Sequence, residues 1–441
     1  MPDNQQLSQF LISAPHSSAG KTTVTLGLLR ALKRLGQNPQ PFKCGPDYLD
    51  PKLHKIASDN NSINLDGYMM DADHIKSLYY RYGKDANVLI TEGVMGLYDG
   101  AVRTEGSSAS IAELLGIPII LVVNAKAMAY SAAALLLGYK SFNKALDFKG
   151  VIFNFVERES HYQILKAAAE EVGFTALGFL PENAEIKIPS RHLGLKTEKV
   201  IDIDFIIDKA ADHIEKHIDI SRLVSITVKE LTPVLTKRIL FNTSTKKRIL
   251  VANDDAFNFT YAENIDVLKR VAEVSYFSPL NDNILPEADL IYLPGGYPEL
   301  YLKQLADNVT MKTQIFRHYK NGGKILAECG GMMYLGKNIA DEKGDLYPMV
   351  GILDLETSMQ NKKLTLGYRQ ISLVNDDLRG HEFHYSQLTK SAIVNENIAV
   401  CNARKEPVDM AVYKTGNLLA SYMHFYFGDN IRVIEELLFN K

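Results

Sequence analysis

A two-part α/β protein, each half built on a largely parallel sheet, is what this sequence predicts. Three observations carry that expectation. The chain has 441 residues, more than one hydrophobic core usually supports. Short apolar runs alternate with amphipathic stretches in two separate series. Each series contains a glycine-flanked motif placed just after a strand, where open parallel sheets collect their ligands.

The first series runs through Phe10 to Ser13, Val88 to Thr91, Ile119 to Val123 and Val151 to Phe155. Runs this short, each followed by a turn and a helical periodicity, read as buried parallel strands with crossover helices. The second begins with RILVAND at Arg248 and continues through Leu290 to Leu293, Lys324 to Ala327 and Leu418 to Met423. Between them, Ile201 to Thr245 is charged and helix-like, then polar. The expected division is 1–200 for the first domain, 201–245 for a linker and 246–441 for the second domain. There is no internal repeat or low-complexity tract.

With 46% hydrophobic and 23% charged residues and a formal charge of -3, the composition is that of a globular protein without a polyanion-tracking face, so no nucleic-acid partner is expected. Cys44, Cys329 and Cys401 are too few for a disulfide scaffold. The beginning of the chain lacks a secretory pattern, and the apolar stretch Ile117 to Val123 is short and holds Pro118, so no membrane partner and a cytoplasmic location are expected.

After the first strand, APHSSAGKTTV places Gly20, Lys21, Thr22 and Thr23 at the mouth of a helix. Amides of such a loop surround phosphates, Lys21 neutralises β/γ charge, and the Thr22 hydroxyl suits magnesium. Pro15 stands where the first glycine of a phosphate loop is usual, and it has no N–H to donate. Asp47 and Asp50 in GPDYLDP, with Glu92 and Asp99 in EGVMGLYDG, supply the oxygen donors a magnesium nucleotide needs. Taken singly, Asp47 and Asp99 read more readily as solvated turn formers or helix caps.

In the second half, LAECGGMMYLG sets Cys329 between a strand and a helix. A nucleophile elbow has that layout, and a helix N-terminus lowers a thiol pKa. Gly296 and Gly330 are the expected oxyanion donors. His424, ending an apolar run, is the expected base, and His381 and His384 are given structural or substrate-lining roles. Cys44 and Cys401 read as small packed residues.

Taken together, AGKTT, GPDYLDP, EGVMGLYDG, IPSRHLGL, LPGGYPEL, AECGGMMYLG, GHEFHYS and SYMHFYF closely resemble the cobyrinate a,c-diamide synthase family, from about residue 8 to the C-terminus. The resemblance implies a dethiobiotin-synthetase-like P-loop domain followed by a class I glutamine amidotransferase domain of the cobyric-acid type. It implies amidation of the a and c acetates of a corrin ring, with ATP, L-glutamine and cobyrinate as substrates and magnesium as cofactor. On that likeness Thr22, Asp50 and Glu92 are assigned to the metal, Asp47 and Asp99 to substrate or intermediate, and Cys329 and His424 to glutamine hydrolysis. Arg191 is a candidate for the ring carboxylates, and a homodimer stays open.

Two positions depart from the wider pattern. Tyr426 stands where ordinary glutaminase domains carry a glutamate two residues after the histidine, so a full triad is not visible. Ala327 replaces a common glycine in the elbow. Nickel-sirohydrochlorin or hydrogenobyrinate amidation are alternatives within the same chemistry. A P-loop sensor with an inactive glutaminase half belongs to a different class, and a dethiobiotin-synthetase-like carboxylase would leave the second half unused.

Overall fold

Strands that are buried on both faces read as continuous apolar runs, and the first half forms its sheet from them. In the computed structural model, which describes residues 5–188, 202–234, 247–373, 377–391, 398–429 and 431–439, the chain separates into two units that divide at Lys237 and Arg238.

The first unit contains β1 (Gln5–Ser13), β2 (Pro39–Cys44), β3 (Ile63–Leu65), β4 (Val88–Glu92), β5 (Ile119–Asn124), β6 (Phe148–Asn154), β7 (Thr175–Leu180) and β8 (Val228–Leu231). Their spatial order is β3-β2-β4-β1-β5-β6-β7, all parallel, with β8 antiparallel to the start of β1. From β1 the chain winds first one way and then the other, so the carboxyl ends of β1, β2 and β4 face a topological switch point. Two helices frame that point: α1 (Lys21–Arg34) follows β1, and α2 (Asp50–Ser58) follows β2.

Of the segment expected to be a linker, the described residues 202–234 are built into this unit. Helix Ile203–His217 buries Ile207, Ala210, Ala211 and Ile214, one helical stripe, against α1. The approach is close, since a Cβ at Gly27 of α1 would lie 2.8 Å from the Ala210 carbonyl oxygen. On the rim, Arg30 reaches Asp204 and Asp208, each at 2.5 Å. The charge that suggested a linker is the solvent face of an amphipathic helix. Helix Ile220–Ile226 and β8 follow, and the Thr227 hydroxyl meets Ser8 of β1 at 2.7 Å.

In the second unit, β9 (Arg248–Ala252), β10 (Glu273–Phe277), β11 (Leu290–Leu293) and β12 (Lys324–Glu328) form a parallel sheet in the order β10-β9-β11-β12. It continues through strand Leu418–Ser421, parallel to β12, and ends on the antiparallel strand Val412–Thr415. A smaller antiparallel sheet contains Thr365–Ser372, Asp377–His384 and Met423–Tyr426. Strands Leu418–Ser421 and Met423–Tyr426 are nearly continuous in sequence, so one stretch of chain ties the two sheets together at the end of β12.

Candidate functional sites

In the first unit the loop between β1 and α1 turns on Gly20, whose φ of 98° lies in the left-handed region. A side chain there is also blocked by packing. The Asn154 amide donates to the Ala19 carbonyl at 3.0 Å, and a Cβ on Gly20 would sit 2.1 Å from that same nitrogen. Lys21 opens α1 and donates to the Met95 carbonyl at 2.6 Å and the His16 carbonyl at 3.4 Å. Burial, then the neighbouring Lys43 ammonium, lowers its pKa. Thr23, half-buried, follows in the first turn. Pro15 is accommodated through its carbonyl, which accepts the Tyr139 hydroxyl at 3.1 Å.

Glu92 is the centre of the site. It is fully buried at the end of β4, and three polar groups converge on it. Thr22 donates to Oε1 at 2.6 Å, Lys43 Nζ lies 3.1 Å from the same oxygen, and His54 Nε2 meets Oε2 at 2.6 Å. His54 Nδ1 is held in turn by Ser62 at 2.9 Å. Burial alone would push the Glu92 pKa up. Lys43, His54 and Thr22 more than offset it and hold the carboxyl well below its ordinary range. Lys43 also reaches Asp50 at 2.7 Å. There burial wins over Lys43, and Asp50 is pushed up to about 6.

The structure thus brings Thr22, Asp50 and Glu92 together, and it adds Lys43 and His54, which the sequence reading missed. Asp50 and His54 sit four residues apart on α2, a one-face spacing that would have flagged the histidine. Lys43, in the strand PQPFKC, was the one charge in a fully buried run. Asp47 accepts the Leu49 and Asp50 amides at 2.8 and 3.0 Å and so shapes the entry to α2. Asp99 accepts the Gly96 amide at 3.0 Å, in the loop that bears Met95. Arg191 falls outside the described residues.

Oxygen donors at this point suit magnesium, which is hard and keeps waters and phosphates in its shell. The Thr22 hydroxyl and the Glu92 carboxylate, at the foot of the phosphate loop, fit that requirement. Among the described residues no cluster of three or more His, Cys, Asp or Glu forms an all-protein cage. Asp50 fits less well, because Lys43 already neutralises it.

In the second unit Cys329 stands between β12 and the short helix Gly330–Leu335 with φ 44° and ψ -107°. A non-glycine residue holds such a backbone only when its surroundings enforce it. Here they do: the Cys329 amide donates to the Ser421 carbonyl at 2.8 Å. Gly331 has no room for a side chain either, since a Cβ would lie 2.1 Å from the Leu293 carbonyl oxygen. Gly330 packs on Gly296, with its Cβ position 3.2 Å from the Gly296 nitrogen, so the two expected oxyanion donors are neighbours.

The thiol is not the activated sulfur that the helix position led us to expect. Cys329 is 4% exposed. Burial, reinforced by the Glu299 carboxyl, pushes its pKa up, and the Gly330 amide offsets only part of this. A helix of six residues supplies too little field to overcome desolvation.

His424 lies on strand Met423–Tyr426, whose neighbour Asp377–His384 places His381 directly opposite. The two rings stack at 4.9 Å and 14°. The Tyr261 hydroxyl meets His381 Nδ1 at 2.9 Å, and burial lowers the His381 pKa to about 3. Burial, then His381 and His384, lowers that of His424 as well. His384 is bonded to Glu382 at 2.9 Å, and Glu382 also receives Arg369 at 2.7 Å. At rest both the sulfur and the imidazole are therefore neutral.

Two family models match the chain: a CobQ/CobB/MinD/ParA nucleotide binding domain over residues 10–195, and a CobB/CobQ-like glutamine amidotransferase domain over residues 248–431. Among similar curated proteins is the cobyrinate a,c-diamide synthase of Picrophilus torridus, 40% identical, with 98% of each chain covered. The cobyrinate a,c-diamide synthase of Caldanaerobacter subterraneus is 39% identical, with 94% of each covered. The hydrogenobyrinate a,c-diamide synthase of Brucella abortus is 40% identical, covering 94% of this chain and 97% of its own.

Proposed function

The chain belongs to the cobyrinate and hydrogenobyrinate a,c-diamide synthase family, and from that premise we propose that it amidates the a and c acetate side chains of cobyrinate with ATP and glutamine. The supporting observation is the presence in one chain of a phosphate loop backed by a buried glutamate and of a cysteine elbow whose neighbour Glu328 lies 3.9 Å from His424. A sensor needs the first but has no use for the second, and a carboxylase leaves residues 248–431 without a task.

A carboxylate is a poor electrophile, so the γ-phosphoryl group of ATP must pass to an acetate oxygen, giving an acyl phosphate and ADP. Gly20, Lys21, Thr22 and Thr23 hold the nucleotide phosphates, and Lys21 carries positive charge to the transferring group. Thr22 and Glu92 would hold magnesium, which would supply charge neutralisation at the phosphate oxygens. Asp50 orients Lys43, while Asp47 and Asp99 keep the two acidic loops in shape around the acetate. Ammonia then attacks the acyl carbon and phosphate leaves.

Glutamine supplies that ammonia. Cys329 Sγ attacks the side-chain amide carbon while His424 takes the thiol proton, and the Gly296 and Gly330 amides receive the oxyanion. The carbon–nitrogen bond breaks as His424 returns the proton to the departing nitrogen. Water then cleaves the glutamyl thioester to glutamate.

Hydrogenobyrinate is the second reading, favoured by an identity of 40% to an enzyme named for it, equal to that for the Picrophilus protein. Offering each ring with ATP and glutamine decides between them, and turnover of the metal-free ring alone would overturn cobyrinate. Cys329→Ser is expected to abolish glutamine-supported amidation while added ammonia still supports it. Loss of both would overturn the division of labour.

A further inference from the structure

The glutamate that ordinarily follows the histidine by two is absent, and its place is taken by Tyr426, which is buried against Tyr261 at 5.6 Å. That strand therefore cannot supply an acid to the imidazole. An acid arrives from another direction. Glu328, the last residue of β12 and the immediate neighbour of the nucleophile, is 1% exposed, and its Oε2 lies 3.9 Å from His424 Nδ1. Its Oε1 accepts the Phe425 amide at 3.2 Å, one residue beyond the histidine. The carboxyl thus bridges the strand that carries the thiol and the strand that carries the base.

We propose that Glu328 is the positioning residue of the glutaminase site: its carboxyl accepts the His424 Nδ1 proton, fixes the tautomer that leaves Nε2 unprotonated to act as base, and steadies the imidazolium that forms. This rests on the glutaminase reading above. At 3.9 Å the contact is longer than a hydrogen bond, and catalytic contacts in unliganded sites are often long and tighten with substrate.

The other groups around the pair have other partners. Among the described residues, the carboxyl found within 4 Å of His424 is that of Glu328. Glu382 is committed to Arg369 and His384, and Glu299 acts on the thiol from the turn Pro298–Leu300. His381 lies on the face of His424 with its own Nδ1 at the Tyr261 hydroxyl. Tyr292, on β11, faces Glu328 from below. Burial disfavours charge on either group, raising the proton affinity of Glu328 and lowering that of His424; the role assigned to Glu328 is that of its carboxylate form, in which Oε2 keeps a lone pair for Nδ1–H.

A glutamine at 328 separates this role from simple packing. A carboxyl accepts from both Phe425 N–H and His424 Nδ1–H, whereas an amide presents one oxygen and one NH2. Keeping the Phe425 bond turns the NH2 toward Nδ1 and forces the proton to Nε2, where it blocks the base. Glu328→Gln is expected to lower kcat for glutamate release by about a hundred-fold or more, by analogy with the loss of an orienting acid in a catalytic triad. KM for glutamine should change little and ammonia-supported amidation should persist. The pH dependence of Cys329 alkylation should also move. Histidine-selective 15N spectra of the unaltered protein give a second reading that does not depend on the variant folding: His424 is expected to carry its proton on Nδ1. Glutamate release within two-fold of the parent, with an unmoved alkylation profile, would overturn the proposal, as would an Nε2–H tautomer in the parent. Failure of the parent itself to hydrolyse glutamine would instead sink the glutaminase reading.

Discussion

Replacing Lys43 with methionine removes one charge and almost no volume, and it tests whether the buried network around Glu92 is held by electrostatics. The Lys43 side chain is 4% exposed and bonds to Asp50, Glu92 and the Gly93 carbonyl at 2.7, 3.1 and 3.2 Å. Taking away one partner of a buried ion pair typically costs about 3 to 5 kcal/mol, because the remaining charge stays desolvated. Asp50 tempers this. Already pushed up to about 6, it takes up a proton near neutrality at modest cost, so the lower figure is expected, about 3 kcal/mol or on the order of a hundred-fold in an opening equilibrium. The chain has no tryptophan, so hydrogen exchange read by mass spectrometry suits the question better than fluorescence. Peptides covering 39–44 and 88–92 should exchange about a hundred-fold faster in Lys43→Met, and those covering 324–328 and 418–426 should not change. The pH dependence has a definite sign. In the parent, Glu92 is held below its ordinary value of 4.5, so its contribution is present above that value and lost as pH falls toward the folded one. Without Lys43, burial loses its main opponent, His54 and Thr22 remaining on Glu92, and the proton affinity of both carboxyls rises. The penalty is then largest above pH 6 and narrows as acid neutralises them. Equal exchange by parent and variant at pH 8 would refute the view that the ammonium holds these carboxylates.

Two further outcomes concern the second unit. A Cβ on Gly295 would lie 2.1 Å from His424 Cε1, so Gly295→Ala should displace the base and cut glutamate release by about a hundred-fold or more, with ammonia-supported amidation retained; activity near the parental level would show that the ring yields without consequence. Burial holds the resting Cys329 thiol above its ordinary value of 9.0, so alkylation by iodoacetamide should stay slow through neutral pH and climb only in alkali, whereas a plateau reached by pH 7 would mean an activated thiolate in the free protein.

The parts of the fold legible in sequence were those whose burial is one-dimensional. A parallel strand enclosed on both faces leaves a continuous apolar run, and β1, β4, β5, β6, β9, β11 and β12 all do. Residues 203–231 were misread because an amphipathic helix shares its hydrophobicity with a charged face, and its docking on Gly27 and Arg30 is visible only in three dimensions. Strand Asp377–His384, which carries His381, mixes polar with apolar residues and carries no comparable run. Among site residues, Thr22 was legible because it follows the Gly20-Lys21 entrance to a helix, and Glu92 because it ends a strand beside Gly93. Lys43 and His54 were not, since a lone lysine or histidine reads as solvated until its carboxylate partner is located.

The two sites handle buried charge in opposite ways. Around Glu92 burial is overcome by a lysine, a histidine and a hydroxyl, so the carboxylate stays ionised and stands ready for a cationic ligand. Around Cys329 burial prevails: thiol, imidazole and Glu328 are each driven toward the uncharged form. A thiolate and an imidazolium can form there only as a pair, since a lone charge in such a setting is costly while the pair keeps the net charge at zero. What shifts that balance is a substrate that brings its own dipole to the sulfur and donors to the developing oxyanion. The dependence on substrate follows from desolvation alone, without any moving part, and it is why the resting thiol and the reacting thiol must differ in proton affinity.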